Sequence, residues 1–325
     1  MNFDRSRVLI TGGAGFIGSS LARRLTRMGA RVTIADSLIP EYGGNFANIE
    51  DIRDAVDLNI TDVRDPHAMR HLIQGQDFLF NLAGQTSHMD SMTEPLTDLE
   101  INARAQLSIV EACRVHNPGI RIVFAGTRQV YGRPDYLPVD ESHPLRPVDV
   151  NGIHKLAGEW YHLLYNSVYG IRATVLRLTN TYGPGMRIKD ARQTFLGIWV
   201  RYLLEGKPFE VWGGEQLRDF TYVDDCVDAM LLAASRPEAS GRVYNLGGEK
   251  VVSLKTLAQA LINAHGSGEY EIREYPEERK KIDIGDYYSD DGLIRSELGW
   301  HPAVPLEQGL AATLAYFKPR LALYL

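Results

Sequence analysis

Three glycines at fixed spacing constrain this chain more than any other feature. The run Thr11-Gly12-Gly13-Ala14-Gly15-Phe16-Ile17-Gly18 follows an apolar stretch, Arg7 to Thr11 (RVLIT). It precedes apolar residues at helical spacing from Phe16 to Met28, closed by Gly29, and then a second β-branched run, Arg31 to Ala35 (RVTIA). Strand, glycine turn, helix and strand in about thirty residues make a βαβ unit. Gly12 permits the tight turn, Gly15 lets backbone approach a pyrophosphate, and Gly18 lets the helix close on the strand. Phe16 and Ile17 open the helix, where free N–H groups and the dipole favour an anion.

Asp36 ends the second strand, eighteen residues after Gly18. A carboxylate there accepts hydrogen bonds from a ribose diol and repels a 2′-phosphate, so the expected cofactor is NAD rather than NADP. The alternation continues along the chain. Asp77 to Leu82 (DFLFNL), Arg121 to Ala125 (RIVFA) and Arg172 to Leu178 read as strands, and Leu99 to His116 and Lys155 to Tyr169 as helices. The strand runs are apolar throughout, as parallel strands covered on both faces require. The expected class is α/β: a Rossmann doubly wound parallel sheet with a smaller mixed α/β C-terminal substrate domain. Residues 1–180 are expected to form the NAD-binding domain, with 221–246 packing back on it. Residues 181–220 and 247–325 form the second domain. Within it, Thr181 to Arg192 reads as loop and Gln193 to Glu205 as amphipathic helix.

The 325 residues, 44% hydrophobic, suffice for a large core. A net charge of -6 argues against a nucleic-acid or membrane-surface partner. Cys113 and Cys226 lie in helical patterns without a CxxC pair, so buried thiols are expected, with no disulfide framework and no metal. No leader-like start and no membrane-length apolar run are seen, which predicts a soluble cytoplasmic protein.

The glycine spacing resembles that of the extended short-chain dehydrogenase/reductase superfamily, and more narrowly the NAD-dependent nucleotide-sugar epimerase/dehydratase family. Further segments carry the resemblance over nearly the whole chain. Asp62-Val63-Arg64-Asp65 resembles the segment whose first two residues flank the adenine. Asn81-Leu82-Ala83-Gly84 resembles an HLAA-like strand end, with Asn for His and Gly84 for Ala. Asn102 matches a mid-helix Asn. Thr127-Arg128-Gln129-Val130-Tyr131-Gly132 resembles the segment whose Thr is in the catalytic set. Asn180-Thr181-Tyr182-Gly183-Pro184 resembles the NxYGP turn leading into the sugar site. Arg218-Asp219-Phe220-Thr221-Tyr222-Val223-Asp224 resembles an RDFxxVxD segment whose Arg contacts the substrate diphosphate, and Leu298-Gly299-Trp300-His301-Pro302 an LGWxP signature. The resemblance implies a nucleotide-diphosphate sugar as substrate, bound by the second domain, and a homodimer.

One departure bears on mechanism. The family's acid/base is the Tyr of a YxxxK pair; Lys155 matches the Lys, but the Tyr position holds Asn151. Residues four apart share a helix face, so Lys155 stands beside position 151. An amide can orient a hydroxyl but cannot take its proton. His154, His88 and Tyr131 are the alternative bases, His88 being the best placed. Thr127 with a water could sustain slow chemistry, and binding without turnover also remains open. A second departure concerns reaction type. The family's 4,6-dehydratases carry Asp-Glu after the Thr, where this chain has Arg128 and Gln129. The expected reaction is therefore C4 epimerisation through a transient 4-ketone, with a dehydratase or 4-ketoreductase as the alternative. Thr127, Asn151 and Lys155 are the expected catalytic set. His88, Asn180, Arg187, Arg192, Arg218 and Lys280 are expected on the substrate side with Thr127. Arginines there suit a diphosphate through bidentate contacts.

Overall fold

Apolar β-branched runs need cover on both faces, and a computed structural model, which describes residues 2–276 and 281–325, supplies it. The strands are β1 (Arg7–Thr11), β2 (Arg31–Asp36), β3 (Val56–Ile60), β4 (Phe78–Asn81), β5 (Arg121–Thr127), β6 (Arg172–Leu178), β7 (Asn180–Tyr182), β8 (Phe209–Trp212), β9 (Leu217–Tyr222), β10 (Val243–Asn245), β11 (Val251–Ser253) and β12 (Tyr270–Arg273). Seven form one parallel sheet in the order β10-β6-β5-β4-β1-β2-β3. This is the doubly wound order with β10 added at one edge, and its switch point lies between β1 and β4.

Successive residues of β1 serve opposite faces. Val8 and Ile10 enter a core with Leu21 and Leu25 of helix α1 (Phe16–Arg27). Leu9 enters a core on the other face with Met69 of α2 (Pro66–Ile73), Ile109 of α5 (Ala105–His116) and Tyr165 of α6 (Val150–Tyr169). Helix α7 (Val223–Ser235) sends Cys226, Val227 and Met230 into the first of these cores, so this segment packs against α1. The later residues gather around a separate core that includes Trp199, Phe209, Phe220, Leu257 and Phe317. Two small sheets, β11-β9-β7 and β12-β8, frame it.

Two elements differ from expectation in ways that shape the site. The helix expected over Leu99 to His116 is interrupted. Helix α3 (His88–Thr93) and α4 (Pro95–Leu99) come first, then a π-turn at Glu100–Arg104, then α5. Such a turn is a common device at functional sites, and it buries Asn102. Helix α6 starts at Val150, five residues before the expected Lys155, because Asp149 caps it: its Oδ1 accepts the Gly152 N–H at 2.6 Å. β3, whose side chains are largely exposed, has no matching apolar run and was not expected.

A buried ion pair fixes α6 against the sheet. Glu159 of α6 meets Arg177 of β6 at 2.5 Å, with side chains 1% and 4% exposed. Arg177 also donates to the Tyr131 hydroxyl at 2.6 Å. Glu159→Gln would leave a buried guanidinium uncompensated and should cost about 3–5 kcal/mol. Urea unfolding measures this, and a loss under about 1 kcal/mol would show that the pair does not fix the helix.

Candidate active site

The glycine turn builds one wall of a long cleft over the β1–β4 switch point. Gly12 has φ +69°, and a Cβ there would come within 3.0 Å of the Ala83 nitrogen. A Cβ at Gly18 would sit 2.2 Å from the Gly12 carbonyl oxygen, so α1 can lie this close to the turn only without a side chain there. Gly15 caps α1 without any side-chain hydrogen bond. The first N–H groups of α1 therefore have no capping side chain and belong to a cleft lined by Gly12, Gly15, Phe16, Ile17 and Gly18. A pyrophosphate fits this cradle by charge and by the space a Cβ would fill.

At one end the cleft is lined by Asp36, Asp62 and Val63. The Asp36 carboxylate accepts the Ala14 N–H at 2.9 Å and the Leu38 N–H at 2.8 Å. Burial pushes its pKa up despite these bonds. Each oxygen keeps a lone pair for a ribose hydroxyl. Asp62 is held by Arg64, Nη2 to Oδ2 at 2.6 Å. Further along, Leu82, Ala83 and Gly84 line the floor. Asn102 does not reach the wall. It lies beneath, donating to the Gln85 carbonyl at 2.9 Å, and its buried Oδ1 has no hydrogen-bond partner. It supports the strand end rather than the cleft surface.

At the other end, Thr127, Asn151, Lys155 and His88 line the same cleft. The Thr127 Oγ1 accepts the Gln129 N–H at 3.2 Å, which leaves its O–H free to donate. The Lys155 Nζ stands 4.8 Å above the Phe124 ring. Burial lowers its pKa to about 8, against the pull of Asp98 and Glu159. The Asn151 amide NH2 faces three acceptors, the Gln85 carbonyl at 2.8 Å, Asp98 Oδ2 at 3.0 Å and Gln85 Oε1 at 3.4 Å. Asn151 is thus held rigidly and cannot relay a proton. Asp98 Oδ1 contacts His154 Nδ1 at 2.8 Å, so His154 turns behind Asn151 and is not on the cleft wall.

The His88 Nδ1 lies 2.9 Å from Asp149 Oδ2, a charge contact whose angle falls short of a hydrogen bond. Burial opposes ionisation of Asp149. The interactions with His88, Gly152 and Gln129 outweigh it and hold the pKa below the usual carboxylate range. A carboxylate at this distance favours the tautomer with the proton on Nδ1, which leaves the ring's lone pair on Nε2. Tyr131, the third base considered from sequence, is excluded by its position. It is fully buried, donates to Asn245 Oδ1 at 2.6 Å, and burial raises its pKa to about 12.

On the substrate side, Asn180 lines the cleft and accepts from Arg128 Nη2 at 3.0 Å. The other arginines are engaged elsewhere. Arg187 pairs with Asp190 at 2.5 Å and donates to the Pro40 carbonyl. Arg192 lies 3.4 Å from Asp90. Arg218 donates to the Gly285 and Leu217 carbonyls, with Asp283 at 3.6 Å. None of the three is on the cleft wall, and each would have to exchange partners to meet a diphosphate. Lys280 and its neighbour Arg279 lie outside the described residues. Sequence reasoning missed Asp98, Asp149, Gln85 and Arg128. Only Asp149 carried a signal, as an Asp directly before an apolar periodic segment.

A nucleotide cradle on a doubly wound sheet, with a Thr and a helix-borne Lys at its far end, can be compared with known proteins. The model of the NAD dependent epimerase/dehydratase family matches residues 8–247. The chain belongs to this family. It is an enzyme, and its cofactor is NAD. The UDP-glucose 4-epimerase of Mycolicibacterium smegmatis is 30% identical over 316 residues, 96% of this chain and 98% of that one. The dTDP-glucose 4,6-dehydratase of Streptomyces griseus is 32% identical over 320 residues, 96% and 94% of the two chains. The crystal structure of UDP-glucose 4-epimerase from Thermotoga maritima with UDP-glucose superposes at a TM-score of 0.88, with 29% identity over 97% of this chain and 99% of that one. Among the described residues no helix is long and apolar enough to cross a membrane.

Within this family member, Lys155 offers a pH test. Its ordinary pKa of 10.5 falls to about 8 on folding. Between pH 8 and 10.5 the unfolded chain binds more protons, so stability rises with pH through that window. The penalty of the buried cation is fully present below pH 8. Lys155→Met should raise the urea midpoint at pH 7, and the gain should shrink by pH 10. A gain independent of pH would show that the Lys155 charge is not destabilising.

Proposed function

We propose that this enzyme epimerises a nucleotide sugar at C4 through a transient 4-ketone, with NAD in the cradle and His88 moving the proton. His88 on the cleft wall, with the buried Asp149 carboxylate 2.9 Å behind it, carries this reading. NAD, when bound, supplies reversible hydride transfer at the reacting carbon. His88 takes the C4 hydroxyl proton on Nε2, and Asp149 stabilises the imidazolium that results. Thr127 donates its O–H to the C4 oxygen, and Lys155 adds positive charge where that oxygen becomes electron-rich. Asn151 orients and does not titrate. The names of the Mycolicibacterium and Thermotoga relatives support a 4-epimerase. The positions after Thr127 favour it over dehydration: Arg128 is a cation, and Gln129 is tied to Asp149 at 3.0 Å, so these two positions supply no acid and base to expel water.

Incubation with NAD and a panel of UDP-, dTDP-, GDP- and CDP-sugars, followed by NMR of the ring protons, should reveal one C4 epimer pair. His88→Gln should lower turnover roughly 10²–10⁴-fold, as removal of an acid/base does. Asn151→Ala should cost much less. Equal losses in the two variants would remove His88 from the role, and loss of water from the sugar would replace epimerisation by dehydration.

We also propose a homodimer. Ile153, Trp160, Leu164 and Val168 of α6 recur at helical spacing and are 51–60% exposed, and α5, which packs against α6, exposes Leu107 at 39%. An apolar stripe of this kind is a common association surface. Trp160→Glu should shift the protein from dimer to monomer in sedimentation velocity, whereas a monomeric wild type would refute this assembly.

A further inference from the structure

Among the described residues, Arg177 and Arg218 are buried arginines and both are neutralised, while Arg128 is part-buried on the cleft wall with its Nη1 fully covered. Arg177 has Glu159, and Arg218 has Asp283 and the Gly285 carbonyl. Arg128 differs. Its Nη2 donates to the neutral Asn180 and its guanidinium lies 5.1 Å from the Tyr287 ring centroid. Its Nη1 is buried without a hydrogen-bond partner. Among the described residues no carboxylate pairs with it. Asp219, the nearest by charge, is occupied by the Thr179 hydroxyl and the Ser289 N–H, and Asp283 by Arg218, Tyr275 and Gly285. A desolvated guanidinium with an open donor on the wall of a ligand cleft is costly unless an anion arrives. Burial, with Arg218 adding repulsion, lowers its pKa to about 10.

We propose that Arg128 recognises a carboxylate on the sugar ring, so that the preferred substrate is a nucleotide-linked uronic acid. This rests on the reading above, in which the C4 oxygen sits at Thr127. Arg128 is the next residue, one Cα step of about 3.8 Å away. In a pyranose the carbon bearing the acid, C5, adjoins C4, while the diphosphate leaves from C1 across the ring. C4 is flanked by C3, which bears a neutral hydroxyl, and by C5, so the C5 substituent is the neighbour of C4 that can carry a charge to meet a cation there. A neutral hydroxymethyl there would use one hydrogen bond and leave the charge uncompensated; a carboxylate satisfies both.

The test measures binding of UDP, UDP-glucose and UDP-glucuronate by calorimetry, with kcat/KM for the two sugars, in wild type, Arg128→Gln and Arg128→Lys. The wild type should prefer the uronate at least about tenfold. Arg128→Gln should lose uronate efficiency by roughly 30- to several-thousand-fold, the range for truncating one partner of a desolvated charge pair. Its affinity for UDP should be unchanged, and Arg128→Lys should keep part of the preference. Thermal melting should find the Gln variant as stable as the wild type or more so, since an uncompensated charge has gone. Weakened UDP binding in Arg128→Gln would assign the residue to the diphosphate and overturn the proposal, as would equal use of the two sugars by the wild type. If none of the three ligands binds, the nucleotide-sugar reading falls first, and this assignment falls with it.

Discussion

A chain of buried hydrogen bonds from Thr11 to His162 holds the two halves of the site in register. The Thr11 hydroxyl, at the end of β1, donates to Asn81 Oδ1 at 2.8 Å and accepts the Leu82 and Ala83 N–H groups at 3.0 and 3.2 Å. The Asn81 NH2 donates to Gln106 Oε1 at 2.7 Å and meets His162 Nε2 at 3.2 Å. His162 Nδ1 lies 2.7 Å from the Gly158 carbonyl. Thr11, Asn81, Gln106 and His162 are all fully buried. Burial lowers the His162 pKa to about 4, with Lys155 adding to the effect, so the ring is neutral. Only one arrangement of donors and acceptors satisfies this set: the proton on Nδ1 faces the carbonyl, and Nε2 accepts. A fully satisfied buried network rigidifies what it joins. Here it joins the glycine turn, through β1 and β4, to the helix that carries Asn151 and Lys155.

That network also explains what stands at position 81. A side chain linking β1 to two helices must donate and accept at once, in a fully buried space. Asn does so with one amide. The cradle for the cofactor and the platform for the chemistry are thus set by the same few atoms. The Glu159–Arg177 pair fixes the middle of α6 a turn further along.

What was legible in the sequence follows from how local each determinant is. The glycine turn, β1, β2 and the parallel class are encoded by contiguous residues, and the structure has them within a residue of the sequence reading. The π-turn was invisible because an extra residue in a helical ladder leaves the apolar period nearly intact. The start of α6 was legible only through its cap, Asp149, which the apolar pattern alone passes over. Side chains whose role depends on a distant partner were the least legible. Arg187 reads as a free phosphate-binding cation until Asp190 and Pro40 are seen around it. Arg128 reads as a mere absence of Asp until its burial beside Asn180 and Tyr287 is known. Asp98 gives no sign in sequence that it holds both Asn151 and His154.

The replacement at position 151 becomes intelligible in this setting. A phenol in a helix beside Lys155 would need its proton acidified by neighbouring positive charge. This pocket instead places the Asp98 carboxylate against position 151, a charge that would oppose ionisation of any acid there. An amide suits such a neighbour, because it donates to Asp98 and the Gln85 carbonyl without titrating. The second buried carboxylate, Asp149, lies 2.9 Å from the cleft-lining His88. The two acids thus have different partners: Asp98 accepts from the Asn151 amide, and Asp149 lies against an imidazole. That imidazole stands on a different element from Lys155, where α3 begins after β4 with His88 at its first residue.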